Sequence, residues 1–564
     1  MNSAIYILCR SRCLLNGKLD NNIKFGLYKS MRNDSNMKLS KEREKVDAFL
    51  NQKLIVRKGF EPIDIKEGID WNYQHTNNAN TYQTYLHGLG IVTDLLKVSI
   101  YDNKNDLLKS AKDIIVDWEV KNPVTKKGYV WKEHPVSTRI NNIVEFQETT
   151  PDFKIPEDVF SRILKTHCDY LYNERNYKSN NHGLMMDYAL LNASRFITNK
   201  KDKNMYIDKA MYRVKYLLLR DFSRRGVHLE NSPEYHRLVL NLIKKIELVL
   251  KKIKRNLGKD ETELINLAHE YKQYIIQPNN KYPLIGDTGN IYDKNIKKNY
   301  SDFVDYESGV AILQNKNTTD LEKSVMLTFK SGYHKLTHKH KDDLSYSLYI
   351  EGNELLVDSG KYSYNSKDPV RKHLFSPKGH NTIFFENKMY KLENPMRDQR
   401  KVKISRYISK PKYKMVTGIN TLYENSNITR YNILTKNNFN IVVDRIVSKS
   451  AEQVYQNFNL HEDATVTMID SRTYEITLNN EEFIIKTFGH YNTEVKSDIR
   501  EGFVSREFNK YTTNKQIVFN QTSDNATFIT AVFNKKNPNT LKDLYIRGGK
   551  LVYEITDDIV TIDL

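Results

Sequence analysis

A chain of 564 residues, 39% hydrophobic and 28% charged, can hold two or more domains and bury a large core. It has no run of 18 or more apolar residues, which argues against a membrane-spanning helix, and its three cysteines (Cys9, Cys13, Cys168) cannot supply a disulfide framework and suit a reducing compartment. The formal net charge of +19, mostly lysine spread through both halves, suits a polyanionic partner such as nucleic acid or an acidic polysaccharide, and equally suits solvated helix faces; charge alone does not choose.

Residues 1–45 are polar and irregular and read as a peripheral extension. The opening MNSAIYILCRSRCLL has a short apolar run broken by Arg10 and Arg12, without a basic n-region or a clear cleavage site. It is a poor signal peptide, which favours a cytoplasmic location and leaves export by an unrecognised route open. From 46 to about 290 apolar residues recur at three and four, as in TYQTYLHGLGIVTDLLKVSIY and RLVLNLIKKIELVLKKI, and Asn/Gly/Pro clusters separate several segments. Several helical hairpins in a row suggest a toroid or solenoid. Near Gln277-Pro278-Asn279-Asn280 the texture changes, and the stretch 300–564 is dominated by short alternating runs such as NFNIVVDRIV and ATFITAVF, the pattern of an antiparallel sandwich. Helices followed by strands predict a multidomain α+β chain.

Three stretches carry chemistry. In SNNHGLMMDYALL, Asn180 or Asn181 can cap a helix opening near Gly183, and Asn181-His182 also places an amide and an imidazole at a positive helix end. In GVHLENSPEYHRLVL, Ser232-Pro233 reads as N-cap and first helical residue, with Tyr235 and His236 in the first turn. The third, HKLTHKHKDDLSYSLYIEGNELLVDSGKYSYN, holds His334, His338, His340, Asp342, Asp343 and Asp358, with His380 following in SPKGHNTIFF. On an extended backbone His338 and His340 share a face, so a strand pair could aim two imidazoles and Asp358 at one point. The spacing matches neither a zinc finger nor HExxH. By itself HxH is a weak metal signal and reads equally well as a solvated strand edge.

Together and in order, Asn181-His182-Gly183, GVHLENSPEYH, the His338–Asp358 stretch and SPKGHNTI resemble the motifs of the heparinase II/III-like polysaccharide lyases. The resemblance runs from about Trp71 to the C-terminus and is strongest over 180–382. It implies an N-terminal (α/α) toroid followed by a C-terminal antiparallel β-sandwich, and cleavage of a uronic-acid polysaccharide by β-elimination. Position by position, it implies that Asn181 neutralises the substrate carboxylate with help from His182. Tyr235 would be the general acid and a candidate base, with His338 the alternative base. His340, Asp358 and His380 match the family's metal ligands, usually a structural zinc. WKEHPVSTRINN resembles the family's tryptophan-to-arginine segment, which makes His134, Arg139 and Asn142 substrate-contact candidates. Arg371 is the named candidate for sulfate recognition, a solvated loop arginine being the other reading. Met185 and Met186 stand where some members place an acid, so dual-epimer chemistry is not implied.

The residue types suit the reaction. Removing the C5 proton of a uronate spreads a second negative charge onto its carboxylate, which Asn181 and an imidazolium can stabilise. A base must take that proton and an acid must protonate the leaving O4. Two other readings stay open. A His-Asp-His triad is also a plausible hydrolytic zinc site, although hydrolysis leaves Tyr235 and Asn181 without a role. A non-catalytic glycan-binding protein would tolerate Tyr235→Phe. No RRM, KH or helix-turn-helix signature supports nucleic acid as the partner. Heparin-like chains, hyaluronan or chondroitin, alginate and bacterial exopolysaccharides all satisfy the same constellation.

Overall fold

The computed structural model describes residues 39–76, 78–363, 365–489, 494–556 and 558–564. The opening segment that reads as a poor signal peptide, Cys9 and Cys13, and most of the N-terminal extension lie outside these residues. The chain divides into two compact units. One comprises the residues up to Leu218 together with Asn241–Lys259; the other comprises Leu219–Leu240 and Asp260–Leu564.

The first unit is helical, apart from a small hairpin of β1 (Lys53–Leu54) and β2 (Ile63–Asp64). Its helices are α1 (Ser40–Leu50), α2 (Ala79–His87), α3 (Gly90–Asp102), α4 (Asp106–Lys121), α5 (Glu133–Thr149), α6 (Glu157–Tyr172), α7 (Asn181–Ser194) and most of α8 (Lys200–Asp221). The expected periodicity holds. α6 buries Phe160, Ile163, Leu164, His167, Cys168 and Leu171, a stripe at spacings of three and four, and carries Glu157 and Asp158 against its positive end. α5 packs on α3, α6 and α7. α9 (Pro233–Lys252) starts in the second unit and continues into the first, and α10 (Lys259–Ile275) lies almost wholly in the second.

The second unit stacks antiparallel sheets. The first sheet orders β3 (Phe303–Asp305), β4 (Val310–Asn315), β5 (Val325–Lys330), β6 (Ser345–Ile350) and β7 (Asn353–Leu356) in sequence. The second holds β8 (Ile383–Phe385) through β17 (Lys510–Asn534), with long β12 (Asn440–Asn459) and β17 side by side at its centre. A third sheet is formed by β18 (Leu541–Arg547), β19 (Lys550–Ile555) and β20 (Asp558–Asp563). Strand alternation explains the layering. In β4, Ala311 and Leu313 face the core shared with the large sheet, while Val310 and Ile312 pack with Tyr271 and Ile275 of α10. In the large sheet, Ile433, Ile441 and Ile529 turn the other way and pack on Leu544, Leu551 and Tyr553 of the third.

Within this apolar stack lies a buried ion pair. Arg430 and Asp444 are register partners on β11 (Ser426–Thr435) and β12 and are both fully buried. They form a two-point bridge at 2.7 and 2.8 Å, and Gln456 donates a further hydrogen bond to Asp444. Arg430 also donates to the carbonyls of Leu344 and Asn381, which flank the loops bearing His340 and His380. Removing the cation alone leaves Asp444 uncompensated in the core. Arg430→Met is expected to lower unfolding free energy by about 3–5 kcal/mol in urea titration, while Arg430→Met combined with Asp444→Leu recovers much of that loss.

Candidate active site

The second unit holds Tyr235, His338, His340, Asp358, His380 and Arg371, and one further residue, Asp287, joins His338, His340 and Arg371. Tyr235 sits in the first turn of α9, whose start is set as expected by Ser232-Pro233. The Ser232 hydroxyl lies 2.7 Å from Thr288 Oγ1 and 3.2 Å from the Asp287 carbonyl, and Glu234 accepts from the Gly289 amide at 2.9 Å. The helix start is therefore fastened to the 286–289 turn. The Tyr235 and His338 rings stack with centroids 3.5 Å apart and planes 20° from parallel. His236, by contrast, is buried and structural, with Nε2 2.9 Å from the Ala268 carbonyl.

His338 reaches this position by a route that alternation does not describe. Residues 331–344 form a loop and the strand begins only at Ser345, so His338 and His340 are not strand neighbours on one face. His338 instead takes φ +57°, a left-handed conformation uncommon for a non-glycine residue and concentrated at functional sites. The loop is held from outside. Asn231 donates to the Lys335 and Thr337 carbonyls at 2.8 and 3.1 Å. Gly286 sits so close beneath that a Cβ there would come within 2.5 Å of the Asn231 carbonyl oxygen and 2.8 Å of that of His338.

The Asp287 carboxylate, 2% exposed, then meets both histidines. His338 Nδ1 is 3.0 Å from one oxygen; His340 Nε2 and Arg371 Nη1 are each 3.0 Å from the other. Burial pushes the Asp287 carboxyl upward, but the hydrogen bonds from His338 and His340 and the Arg371 charge outweigh it and hold the group below the usual carboxylate range. Arg371 is thus no solvated loop arginine. It lies on the short helix α11 (Pro369–Phe375), its side chain is largely buried, and its Nη1 is paired with Asp287.

His340, Asp358 and His380 are buried and each offers a ligand atom within 4.8 Å of the others. His380 Nδ1 is 2.9 Å from Asp358 Oδ1, and the Asp358 charge outweighs burial to raise the His380 pKa. His340 Nδ1 and His380 Nε2 are buried ring nitrogens without a hydrogen-bond partner among the described residues, and a cation would satisfy both. A second group, Asp221, His228 and Glu230, has similar spacing. There the Lys335 ammonium already lies 2.5 Å from Asp221 and 3.8 Å from Glu230, so the charges are met by an ion pair. Glu230 Oε2, buried and without a hydrogen-bond partner among the described residues, is 3.9 Å from His338 Nε2.

In the helical unit, Asn180 caps α7 by accepting from the His182 amide at 2.9 Å, so the helix opens at Asn181, two residues before Gly183. Both Asn181 and His182 are partly exposed at that end. A Cβ on Gly183 would lie 1.9 Å from the Lys178 carbonyl oxygen, so only glycine lets the preceding turn close here. His182 Nδ1 is 3.1 Å from Glu133, and the His134 ring meets His182 edge-on at 5.7 Å.

Arg139 departs from the expectation of substrate contact, while Asn142 is only partly buried. Arg139 is 0% exposed, with its guanidinium 3.9 Å from the Trp118 ring and 5.0 Å from that of Trp131. It donates to His167 Nε2 and to the His87 and Val130 carbonyls. Asn142 donates its amide to the Gly88 carbonyl at 2.9 Å. The tryptophan-to-arginine segment is therefore an internal cation–π unit that pins the end of α2.

Asp287, Glu230 and Glu133 had no assigned role in the sequence. Asp287 offered only the turn signal Gly286-Asp287. Glu133 is held down to about 2 from 4.5, chiefly by the hydrogen bond from His182. Its stabilising contribution is present above about 4.5 and is lost as pH falls toward 2. The stability gap between wild type and Glu133→Gln, followed by thermal unfolding against pH, is expected to close over that interval.

The comparisons with known proteins agree with this fold. Residues 14–311 match the family description Heparinase II/III N-terminus, and residues 299–537 match Heparinase II/III-like, C-terminal. The chain is 21% identical to a heparin-sulfate lyase of Pedobacter heparinus, over 87% of this chain and 79% of that protein. It is 20% identical to one of Bacteroides stercoris, over 88% and 82%. Its fold superposes on the crystal structure of heparinase III with TM-score 0.77 at 18% identity, covering 96% of this chain and 94% of the other. With both halves matched in order by the N- and C-terminal family descriptions, the chain belongs to the heparinase II/III-like family.

Proposed function

We propose that this protein is a polysaccharide lyase that cleaves a uronate-containing glycosaminoglycan, of the heparan sulfate type named for its relatives, by β-elimination. The observation that carries the reading is the Tyr235–His338 stack, a phenol and an imidazole in face-to-face contact with the imidazole gripped by a buried carboxylate. Elimination needs one group to take the C5 proton and one to protonate O4. Tyr235 is assigned to the leaving oxygen and His338 to the C5 proton; a phenol that performs both transfers is the alternative assignment. Asn181 and His182 are assigned the substrate carboxylate on chemical type, as an amide and an imidazole at an exposed helix N-terminus.

His340, Asp358 and His380 would hold a divalent metal, with zinc fitting two imidazoles and a carboxylate. Bound there, the ion would supply loop order by tying the loop before β6, the end of β7 and the start of β8. The protein's own groups carry the proton transfers, and elimination consumes no water.

Two measurements test this reading. On heparan sulfate, the rise in ultraviolet absorbance from the new C4–C5 double bond is expected for wild type. Tyr235→Phe should lower kcat by roughly 10²–10⁴-fold with little change in KM. New reducing ends without that absorbance would establish hydrolysis, and tight binding with no cleavage would establish a glycan-binding protein. Separately, elemental analysis should find one zinc per chain, lost in Asp358→Ala together with a lower Tm.

A further inference from the structure

We propose that Asp287 is a positioning residue for the elimination, holding His338 by one carboxylate oxygen and the Arg371–His340 pair by the other. This rests on the lyase reading above and adds the device that orients its base. The 331–344 loop forms no strand, and His338 sits in it at φ +57°. The ring's Nδ1 is fixed from Asp287, 51 residues away in sequence. The same residue's backbone carbonyl meets the Ser232 hydroxyl at the start of the helix carrying Tyr235. One residue therefore sets both rings of the stack.

The chemistry of a carboxylate gives this grip a consequence. A carboxylate oxygen can only accept, so the His338 nitrogen 3.0 Å from it carries the hydrogen and the ring's lone pair sits on Nε2, 3.9 Å from Glu230. The other oxygen receives Arg371 Nη1 at 3.0 Å. An amide in the same place has one acceptor and one donor. Its oxygen must turn to Arg371, since two donors facing each other repel, and its NH₂ then faces His338 Nδ1. That nitrogen would have to become the acceptor, moving the hydrogen to Nε2 and removing the lone pair that takes the C5 proton.

The test is Asp287→Asn, compared with His338→Ala and with the double variant, on heparan sulfate. Asp287→Asn is expected to lower kcat on the order of 10²–10⁴-fold with KM little changed. The double variant should be no slower than His338→Ala alone, because Asp287 acts through His338. Histidine-selective ¹⁵N spectra, with the resonance assigned by His338→Ala, should show Nδ1 protonated in wild type and Nε2 protonated in Asp287→Asn. Losses that multiply in the double variant would overturn the proposal, as would an Asp287→Asn activity near wild type. So would a wild-type His338 protonated only at Nε2, a result that does not depend on Asp287→Asn folding. If wild type releases no unsaturated product from any uronate glycosaminoglycan, it is the lyase reading that fails, and the elimination role falls with it.

Discussion

Arg430 is the interaction on which the sheet unit's chemistry depends. Its guanidinium lies between register partners of the large sheet, where water cannot reach it, and only the matching carboxylate of Asp444 makes that burial tolerable. The geometry leaves one nitrogen over, and that nitrogen reaches the Leu344 and Asn381 carbonyls. Asn381 in turn donates its amide to the Tyr346 and Val357 carbonyls. The ends of three segments, carrying His340, Asp358 and His380, are thereby registered to the rigid centre of the sandwich. Loops gain precision in this way when their anchoring groups belong to strands.

From that frame outward the site is a chain of buried polar groups, each oriented by the next. Lys339 is fully buried between Asp342 and Asp343, whose charges outweigh burial and raise its pKa. Asp287 gathers His338, His340 and Arg371; Glu230 and Asp221 share Lys335. Few of these groups face solvent, so their fields are weakly screened and their hydrogen bonds are strongly directional. The strained φ of His338 persists because Asn231, Gly286 and Asp287 together define its position. A site of this kind is set before substrate arrives, which is the condition under which donors stabilise developing charge without reorganising.

The same logic separates two kinds of arginine and histidine. Arg139, Arg371 and Arg430 are all enclosed, and each has its charge or donors taken up by aromatic faces, carbonyls or a carboxylate. His87, His167 and His236 are buried too, and burial pushes their pKa down, to about 3 for His87 and His236. They serve as neutral hydrogen-bonding core residues. His182 is partly exposed beside Glu133, and His338 stacks on Tyr235. Residue type alone does not distinguish these groups; the environment that each ring or guanidinium enters does.

Much of this protein was legible in local sequence because the signals are local. Stripes at three and four mark the helices, alternation marks the strands, and Asn180 and Ser232-Pro233 mark two helix starts within a residue or two. The family resemblance, not the spacing, grouped His340, Asp358 and His380, whose ligand atoms lie within 4.8 Å of one another. What escaped was every role assigned across long separations. Asp287 meets partners 51, 53 and 84 residues away, and Arg139 disappears between Trp131 of its own segment and Trp118 of α4. By itself the sequence determined the two-part α+β architecture and the residue types of the site, because periodicity and capping act within a few turns of chain. Only the tertiary structure decided which charged side chain is buried and which is presented, because burial and hydrogen-bond partnership depend on segments that meet only when the chain has folded.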